Sequence, residues 1–337
     1  MVDPLKSLPN EDLNSIANKV RSLDINLSGS TFILLGPTGF IGRWLVETLN
    51  ILITRLNYDI EVICPSLDMN KANRIEDLVT PDNFLFEKIV DFDWSRRRYR
   101  DRTFVIHGFT PTDTKNEISA NLRKLILKTT RASLKLIESY PLGGLVHLSS
   151  GGIFGATPRI SGIPISSSAS AAKQSDLNEY SKTKLIIENE LRNAVNNGSR
   201  NVFNARIFTL YGPGMNLNAK FAICNIVQSV ATRNSTTTIN NANTFRSYLY
   251  PTDLVIGILS SLYSNVNKSI NIGSIIQTKI TDLASTIFSV WDYQPPLIDI
   301  KESDLDFYLP DDVYNEQSID LLNGLEKWKE WLEDRKN

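Results

Sequence analysis

A tyrosine and a lysine four residues apart are the side chains of this sequence with the clearest capacity for chemistry. Tyr180 and Lys184 lie near the start of a helical pattern over residues 178–196, and residues four apart share one face of a helix. An ammonium group beside a phenol favours the phenolate and lowers a phenol pKa that is about 10 when unperturbed. Tyr180 is therefore predicted to act as an acid or base near neutral pH. Taken alone, this spacing is common and mostly marks a surface pair.

A serine upstream could complete such a site. The apolar run at residues 145–148 predicts a buried strand, and Ser149 and Ser150 follow it directly, ahead of a glycine-rich loop that begins at Gly151. In parallel α/β sheets, ligands bind beyond the carboxyl ends of the strands. We therefore expect the Ser150 hydroxyl to orient a substrate oxygen beside Tyr180.

Three glycines near the N-terminus predict a site for an anion. The apolar run at residues 32–35 stops at Gly36, Gly39 and Gly42, and a helical pattern begins at Phe40. Gly36 and Gly39 would allow a tight turn whose backbone N–H groups approach a diphosphate, and Gly42 would let the helix pack close to the strand. The positive end of the helix dipole then faces the anion. The alternative is a structural turn in an α/β protein that binds nothing there.

The order of the predicted elements indicates the fold class. Strands alternate with helical patterns, including a long one at residues 118–140, and this alternation is typical of an α/β, doubly wound parallel sheet of Rossmann type. Beyond Tyr211 the alternation breaks, which predicts a smaller mixed lobe. The predicted strands are residues 32–35, 60–64, 84–90, 104–107, 145–148 and 201–208, followed by 236–239 and 269–272 in the C-terminal third.

These patterns divide the chain into three predicted segments. Apolar residues at helical spacing between Asn10 and Leu23 predict an amphipathic helix that packs on the domain or on a partner subunit. A dinucleotide-binding Rossmann domain is expected next, and then a smaller substrate-binding lobe, with the chain crossing back near residues 245–275. The predicted boundaries are 1–28 for the N-terminal helical extension, 29–210 for the Rossmann domain and 211–337 for the lobe.

Composition limits the expected partners. The 337 residues carry a formal net charge of -1 and are 42% hydrophobic, so a sizeable core is available and no global charge favours nucleic acid or an anionic membrane. Cys64 and Cys224 lie in separate apolar runs, as expected for buried thiols in a reducing compartment. No run of about 18 apolar residues occurs, and the N-terminal residues are too polar for a signal peptide. We therefore expect a cytoplasmic protein without membrane or nucleic-acid partners and, since neither histidine has a neighbour at ligand spacing, without a structural metal site.

Taken together, these motifs resemble those of the extended short-chain dehydrogenase/reductases, specifically the nucleotide-sugar epimerase/dehydratase group. The resemblance covers roughly residues 31–275. It rests on motifs that occur jointly and in the right order. They are Gly36-x-x-Gly39-x-x-Gly42, Val105-Ile106-His107, Ser149-Ser150-x-x-Ile153-Phe154-Gly155, Tyr180-x-x-x-Lys184, Arg206 leading to Tyr211-Gly212-Pro213-Gly214, Arg246-Ser247-Tyr248, and Asn271-Ile272-Gly273-Ser274.

The resemblance implies NAD or NADP as cofactor, a nucleotide-sugar substrate, and a homodimer that pairs through two helices. It implies that Ser150, Tyr180 and Lys184 are catalytic, with Lys184 also holding the nicotinamide ribose. The cofactor-binding residues it implies are Gly36, Thr38, Gly39, Phe40, Ile41, Gly42, Ser66, Asp91, Phe92, His107, Gly108, Tyr180 and Lys184, with Asp91 and Phe92 near the adenine. The substrate-binding residues it implies are Ser150, Gly151, Thr209, Asn225 and Arg246, with Arg246 at the nucleotide diphosphate.

Two of the cofactor positions leave alternatives open. His107, at a strand end, could touch a ligand or could be a hydrogen-bonded histidine of the core. The second strand ends near Ser66, where an acidic residue favours NAD and a basic one NADP. The residues that follow include Asp68, Lys71 and Arg74, so the sequence does not choose between the two cofactors.

Departures from the family pattern bear on the reaction. Dehydratases of this family place Asp and Glu directly after the strand-end hydroxyl, whereas this chain has Gly151 and Gly152. Losing both an acid and a base argues against the removal of water from a sugar. In addition, Thr129 and Thr209 stand where the family often has asparagine, and no second arginine for the diphosphate occurs near residues 307–310.

The sequence therefore predicts NAD(P)-dependent epimerisation of a nucleotide-activated sugar through a transient keto intermediate. A keto-sugar reductase with the same catalytic residues is the first alternative; it would consume NADPH, whereas an epimerase recycles its cofactor. A non-catalytic dinucleotide-binding regulator is the second, because a fold does not fix a function.

Overall fold

The computed structural model describes residues 5–95, 98–110, 118–155, 162–198, 201–264 and 266–334. Its helices are α1 (Asn10–Ser22), α2 (Phe40–Leu56), α3 (Met69–Glu76), α4 (Ala120–Glu138), α5 (Glu179–Asn196), α6 (Ala222–Ala231), α7 (Pro251–Tyr263), α8 (Ile280–Val290) and α9 (Leu321–Glu333). Its strands are β1 (Ser30–Leu35), β2 (Ile60–Ser66), β3 (Phe84–Lys88), β4 (Arg102–His107), β5 (Gly144–Ser150), β6 (Val202–Ile207), β7 (Thr236–Asn240), β8 (Thr244–Arg246), β9 (Ile270–Ile272), β10 (Thr278–Lys279), β11 (Leu297–Lys301) and β12 (Asp306–Tyr308).

The chain divides into two compact units, each built from more than one stretch of sequence. Unit 1 comprises residues 1–155, 170–206 and 255–270, and unit 2 comprises residues 156–169, 207–254 and 271–337. The chain thus returns to unit 1 within α7 and leaves it again within β9.

A seven-stranded sheet with the order β3-β2-β1-β4-β5-β6-β9 organises unit 1. Strand β1 lies between β2 and β4 and is parallel to both, and β2/β3 and β4/β5 are parallel pairs as well. Phe32, Ile33 and Val105 on the central strands are completely buried. The predicted doubly wound parallel sheet is confirmed. Because the strand order reverses between β1 and β4, their carboxyl ends form the point at which such sheets bind ligands.

Most strands of this sheet begin and end within two residues of their predicted bounds. Two helices, α3 and α7, were not predicted. Helix α3 follows β2 directly, and Asp68 caps it by accepting a hydrogen bond from the backbone N–H of Lys71. Helix α7 begins with Pro251, a residue whose missing N–H and fixed φ suit the first helical position. The apolar residues that follow are spaced for a helix, so the signal for α7 was available in the sequence.

The N-terminal helix packs on α2 of unit 1. Leu13, Ile16 and Val20 form its buried face. Ahead of this helix, the backbone N–H of Leu8 donates to Glu47 Oε2 at 2.8 Å, and Glu47 Oε1 accepts from Arg43 Nε at 2.7 Å. The predicted N-terminal helical extension, as far as it lies in residues 5–28, is therefore packed on the Rossmann sheet's first helix.

Unit 2 has its own aromatic core and two small sheets, with strand orders β10-β8-β12 and β11-β7. Tyr211, Tyr250 and Trp328 are completely buried, and the Tyr211 hydroxyl donates to the carbonyl oxygen of Asp320 at 3.0 Å. Helix α9 passes so close that a Cβ on Gly324 would lie 2.1 Å from that hydroxyl. A glycine is therefore required where α9 crosses Tyr211.

Among the described residues, no helix is both long and apolar enough to cross a membrane, and no cluster of three potential metal ligands occurs. Cys64 and Cys224 are buried free thiols.

Candidate active site

The glycine turn after β1 is shaped by two close backbone approaches. Gly36 has a φ of +91°, a conformation that side chains with a Cβ rarely adopt, and a Cβ there would lie 2.9 Å from the carbonyl oxygen of Gly108. A Cβ on Gly42 would lie 2.1 Å from the carbonyl oxygen of Gly36. Glycine at these positions holds the end of β1 against the first turn of α2 and against the end of β4.

The N-terminus of α2 carries no side chain that would compete with an anion. Gly39 precedes the helix without a side-chain cap, and the first turn holds no acidic residue. Gly39 is exposed, while Thr38, Phe40 and Ile41 are half-buried around it. The first backbone N–H groups of a helix lack helical acceptors and carry a partial positive charge. The turn therefore fits a dinucleotide pyrophosphate.

The residues predicted to meet the adenosine lie on separate elements. Ser66 ends β2 and is buried, with its hydroxyl donating to the carbonyl oxygen of Asp68 at 3.2 Å. Asp91 is exposed just beyond β3. Phe92 is buried, and its ring meets Trp94 edge-on with 4.7 Å between centroids. Any contact of Phe92 with an adenine would have to come from its backbone or its small exposed edge.

His107 belongs to the core rather than to an open pocket. Its side chain is completely buried, and Nε2 lies 3.1 Å from the Thr130 hydroxyl. Burial lowers its pKa to about 3, so the imidazole is neutral at physiological pH. Of the two alternatives left by the sequence, the side-chain geometry is that of the core histidine. Gly108, the next residue, lies at the carboxyl end of β4 beside Gly36.

Ser150, Tyr180 and Lys184 come together at the carboxyl end of β5. Ser150 is the last residue of β5, and its hydroxyl accepts a hydrogen bond from the backbone N–H of Gly152 at 3.1 Å. Helix α5 is capped by the Asn178 side chain, so Tyr180 and Lys184 lie in its first two turns. Lys184 Nζ is 5.4 Å from the centroid of the Tyr180 ring.

The whole Lys184 side chain, including its amine, is buried. Its side chain is almost fully enclosed, and Nζ donates to the carbonyl oxygen of Leu148 at 2.5 Å. Burial lowers the pKa of Lys184 to about 7, and the Glu188 carboxylate acts in the opposite direction. Near neutral pH the amine is thus poised between its charged and neutral forms.

The predicted lowering of the Tyr180 pKa was wrong. Burial raises the pKa of Tyr180 to about 12, and interaction with the Ser150 hydroxyl only partly offsets this. The sequence argument assumed a fully charged lysine and a solvated phenol, whereas here both groups are desolvated. The phenol is therefore protonated in the protein as it stands.

Residues 32–273, most of the chain, match the NAD dependent epimerase/dehydratase family. The chain belongs to that family. This agrees with the motifs that extend from the Gly36 turn to Asn271.

Solved structures confirm the fold. A UDP-N-acetylglucosamine 4-epimerase from Methanobrevibacter ruminantium M1, in complex with UDP-N-acetylmuramic acid, is 16% identical, with 92% of this chain and 100% of that one covered and a TM-score of 0.75. A dTDP-glucose 4,6-dehydratase from Bacillus anthracis, in complex with NAD, is 18% identical over 91% and 97% of the two chains, with a TM-score of 0.71. The protein RMD from Pseudomonas aeruginosa, complexed with NADPH, is 18% identical over 90% and 99%, with a TM-score of 0.66.

This epimerase/dehydratase family member has a buried carboxylate that the sequence analysis missed. Glu188 lies one turn beyond Lys184 on α5, is completely buried, and pairs with Arg206 of β6 at 2.8 Å. The hydroxyl of Ser149 donates to the same carboxylate at 2.6 Å. The helical spacing of Tyr180, Lys184 and Glu188 was the available signal, because these residues fall on one face of α5.

The two glycines after Ser150 form a short 3-10 turn, Gly151–Phe154. Gly151 is buried. A Cβ on Gly152 would lie 2.8 Å from Ser181 Oγ and 3.3 Å from Ser150 Oγ. The position that carries an acid in the family's dehydratases therefore directly adjoins the Ser150 hydroxyl, and here it provides no titratable group.

The predicted substrate residues of unit 2 lie on three different segments. Thr209 is half-buried just after β6, Asn225 is exposed on α6, and Arg246 ends β8. Arg246 forms an ion pair with Asp306 of β12 at 2.7 Å and lies 5.7 Å from the centroid of the Tyr308 ring. The charge of the guanidinium is thus neutralised by the Asp306 carboxylate.

Proposed function

We propose that this protein is an NAD(P)-dependent epimerase of a nucleotide-activated sugar, acting through a transient keto intermediate. The observation that carries the proposal is the convergence of Ser150, Tyr180 and Lys184 beside a strand end that continues in Gly151 and Gly152. The convergent groups suit proton transfer to and from a hydroxyl. The glycines leave the adjoining positions without the acid and base that dehydration requires.

Tyr180 Oη is the group that exchanges the proton with the sugar hydroxyl. Ser150 holds that hydroxyl oxygen by a hydrogen bond, and Tyr180 removes its proton as the carbon becomes a carbonyl. In the second half of the reaction Tyr180 returns the proton. Bound nicotinamide supplies the hydride chemistry. Inversion follows when the keto sugar presents its opposite face before it is reduced.

Lys184 makes this proton transfer possible at neutral pH. A phenol whose pKa is raised to about 12 by burial is a weak base unless a positive charge stabilises its phenolate. The Lys184 ammonium, 5.4 Å from the ring centroid, is the cation in reach. We therefore assign Lys184 two tasks, stabilising the Tyr180 phenolate and binding the nicotinamide ribose.

The glycine turn of Gly36, Gly39 and Gly42 is the proposed pyrophosphate site, with Thr38, Phe40 and Ile41 around it. Gly108 and the backbone of His107 line the neighbouring strand end. Ser66, Asp91 and Phe92 are assigned to the adenosine half. Two proteins of similar fold were crystallised with NAD and with NADPH, and this supports a nicotinamide cofactor of either kind.

For the substrate, we assign Gly151, Thr209, Asn225 and Arg246 in addition to Ser150. Arg246 would bind the nucleotide diphosphate. The Arg246 guanidinium is paired with the Asp306 carboxylate, so the diphosphate must displace Asp306 or bind the guanidinium alongside it. We further propose that the protein is cytoplasmic and forms a homodimer.

A panel of nucleoside-diphosphate sugars, each incubated with the protein and catalytic amounts of NAD or NADP, tests the proposal. Proton NMR of the sugars should show one of them converted to a mixture with its epimer, while the reduced-nicotinamide absorbance stays constant. Stoichiometric loss of NADPH absorbance with a keto sugar would instead indicate a reductase. If neither inversion nor any cofactor redox change occurs with the panel, the proposed function is wrong.

A further inference from the structure

A buried carboxylate outside the proposed chemistry connects the elements that carry Ser150, Tyr180 and Lys184. Glu188 accepts hydrogen bonds from Arg206 Nε at 3.0 Å, from Arg206 Nη2 at 2.8 Å and from Ser149 Oγ at 2.6 Å. The carboxylate is completely buried, and the Arg206 side chain is nearly so. It is therefore a fully bonded group enclosed in protein, with no access of its own to a substrate.

Each partner of Glu188 adjoins a different catalytic element. Glu188 itself lies one turn beyond Lys184 on α5. Ser149 immediately precedes Ser150 on β5. Arg206 is on β6, and its guanidinium lies 5.1 Å from the centroid of the Phe154 ring, which belongs to the 3-10 turn after Ser150. One carboxylate thus links the helix of Tyr180 and Lys184 to the strand and the turn around Ser150.

Stability alone does not explain such a group. Burying an ion pair costs desolvation free energy, and well-packed apolar side chains of similar volume commonly stabilise a core as well or better. What the charged group adds is fixed geometry, because an arginine and a carboxylate that meet through two bonds tolerate little displacement. In active sites, displacement by about 1 Å costs roughly 100-fold in rate.

We propose that Glu188 is a positioning residue of this site: by holding Ser149 and Arg206, it fixes α5 against the carboxyl end of β5 so that Tyr180 and Lys184 face Ser150. The kinetic part of this inference rests on the proposed function, but the placement of Lys184 relative to Glu188 does not.

The charges around Lys184 make this placement measurable. Tyr180 and Glu188 face it from α5, His107 from β4, His147 from β5, and Arg206 lies behind Glu188 on β6. Burial lowers the pKa of both histidines, so they are neutral at physiological pH. Glu188 is then the anion that raises the pKa of Lys184, and removing its charge should lower that pKa.

The experiment compares Glu188→Gln with Glu190→Gln, a matched control on the same helix. Glu190 also pairs with an arginine of a neighbouring helix, Arg131, at 2.7 Å, but that pair is exposed. The titration midpoint of Lys184 is read in the cofactor-free protein from 13C-lysine NMR, with the Lys184 signal assigned by its loss in Lys184→Arg. We expect the midpoint to fall by about one pH unit in Glu188→Gln and to stay unchanged in Glu190→Gln.

Turnover on the sugar identified by the panel is the second readout. We expect kcat to fall roughly 100-fold in Glu188→Gln, with KM changed much less and the alkaline limb of the pH profile shifted to lower pH. Glu190→Gln should match the wild type in kcat, in KM and in its pH profile.

A single change could act by leaving Arg206 as an unpaired buried charge, which destabilises folding. The double variant Glu188→Gln/Arg206→Met removes both charges, and we expect it to melt close to the wild type and to keep the low kcat, while its Lys184 midpoint moves part of the way back because the Arg206 cation is lost. A Glu188→Gln protein with the wild-type midpoint, or a folded double variant with the wild-type kcat, would overturn the proposal. Because the NMR readout needs no substrate, the first of these results is distinct from a failure of the proposed epimerase activity.

Discussion

Lys184 Nζ lies 5.4 Å from the centroid of the Tyr180 ring and donates its hydrogen bond to the Leu148 carbonyl. The amine is therefore anchored to the strand that carries Ser150 while it faces the phenol of its own helix. Burial raises the pKa of Tyr180 to about 12 and lowers that of Lys184 to about 7. Desolvation thus disfavours the charged form of both groups. Cofactor binding must offset this effect if the Tyr180 phenolate and the Lys184 ammonium are to form.

Removing the Tyr180 hydroxyl should abolish turnover without abolishing cofactor binding. We expect Tyr180→Phe to lower kcat by about two to four orders of magnitude, as for the loss of a general acid–base group. Tyr263→Phe, at an exposed position at the end of α7, is the control and should keep wild-type turnover. Fluorescence titration with reduced nicotinamide cofactor measures binding, and a Tyr180→Phe protein that still inverts sugars at the wild-type rate would exclude Tyr180 as the acid–base.

The lowered pKa of Lys184 has a consequence for stability. Between its folded pKa of about 7 and the ordinary value of 10.5, the unfolded chain binds a proton that the folded protein does not. The free energy of unfolding should therefore rise with pH in this window, by up to about 1.4 kcal/mol per pH unit for one proton. Urea denaturation of wild type and Lys184→Met at several pH values measures it. The difference between them should increase with pH, and parallel curves would show that Lys184 titrates normally.

Gly42 should be irreplaceable for cofactor binding. An alanine Cβ there would meet the backbone carbonyl oxygen of Gly36 at 2.1 Å, so the turn must move away from the helix N-terminus. We expect Gly42→Ala to weaken cofactor binding by roughly 100-fold or more, the effect of losing several charge-assisted hydrogen bonds. Gly198→Ala is the control, because a Cβ on Gly198 would have open space around it, although its φ of +98° is one that alanine rarely adopts. That control should lose some stability and keep its cofactor affinity.

The residue at the end of β2 should influence cofactor choice. Under the proposed cofactor assignment, Ser66 takes the place of the carboxylate that binds the ribose hydroxyls of NAD, and the Asp68 carboxylate caps α3. We expect Ser66→Asp to shift the ratio of NADPH to NADH affinity towards NADH by about tenfold, since a carboxylate repels the extra phosphate and accepts from the free hydroxyl. Titration with both cofactors gives the ratio. An unchanged ratio would mean that the end of β2 does not meet the ribose.

Much of unit 1 could be predicted from the sequence because its signals are local. Apolar runs followed at once by Gly36 and by Ser149-Ser150 indicated two strands, and the four-residue spacing of Tyr180 and Lys184 indicated one face of a helix. These features depend on residues that are close in the chain. The structure brings the strand end at Ser150 and the helix face of Tyr180 and Lys184 together.

Other features depend on residues distant in sequence and were not predicted. The pairing of Glu188 with Arg206 and Ser149 and the ion pair of Arg246 with Asp306 arise only when separate elements pack. The surroundings that desolvate the Tyr180 phenol likewise come from several elements, so the predicted direction of its pKa shift was wrong. Strands β8, β10 and β12 have three residues or fewer, too few for a pattern to be visible.

In the proposed mechanism the sugar is oxidised and reduced at the same carbon, and Tyr180 transfers the proton. Its most direct test is to run the reaction in D2O on the nucleotide sugar that the panel identifies and to analyse the product by NMR and mass spectrometry. We expect an inverted sugar that retains all its carbon-bound hydrogens, with no net change in reduced nicotinamide. A product that has lost water and gained carbon-bound deuterium, or that forms only as NADPH is consumed, would contradict it.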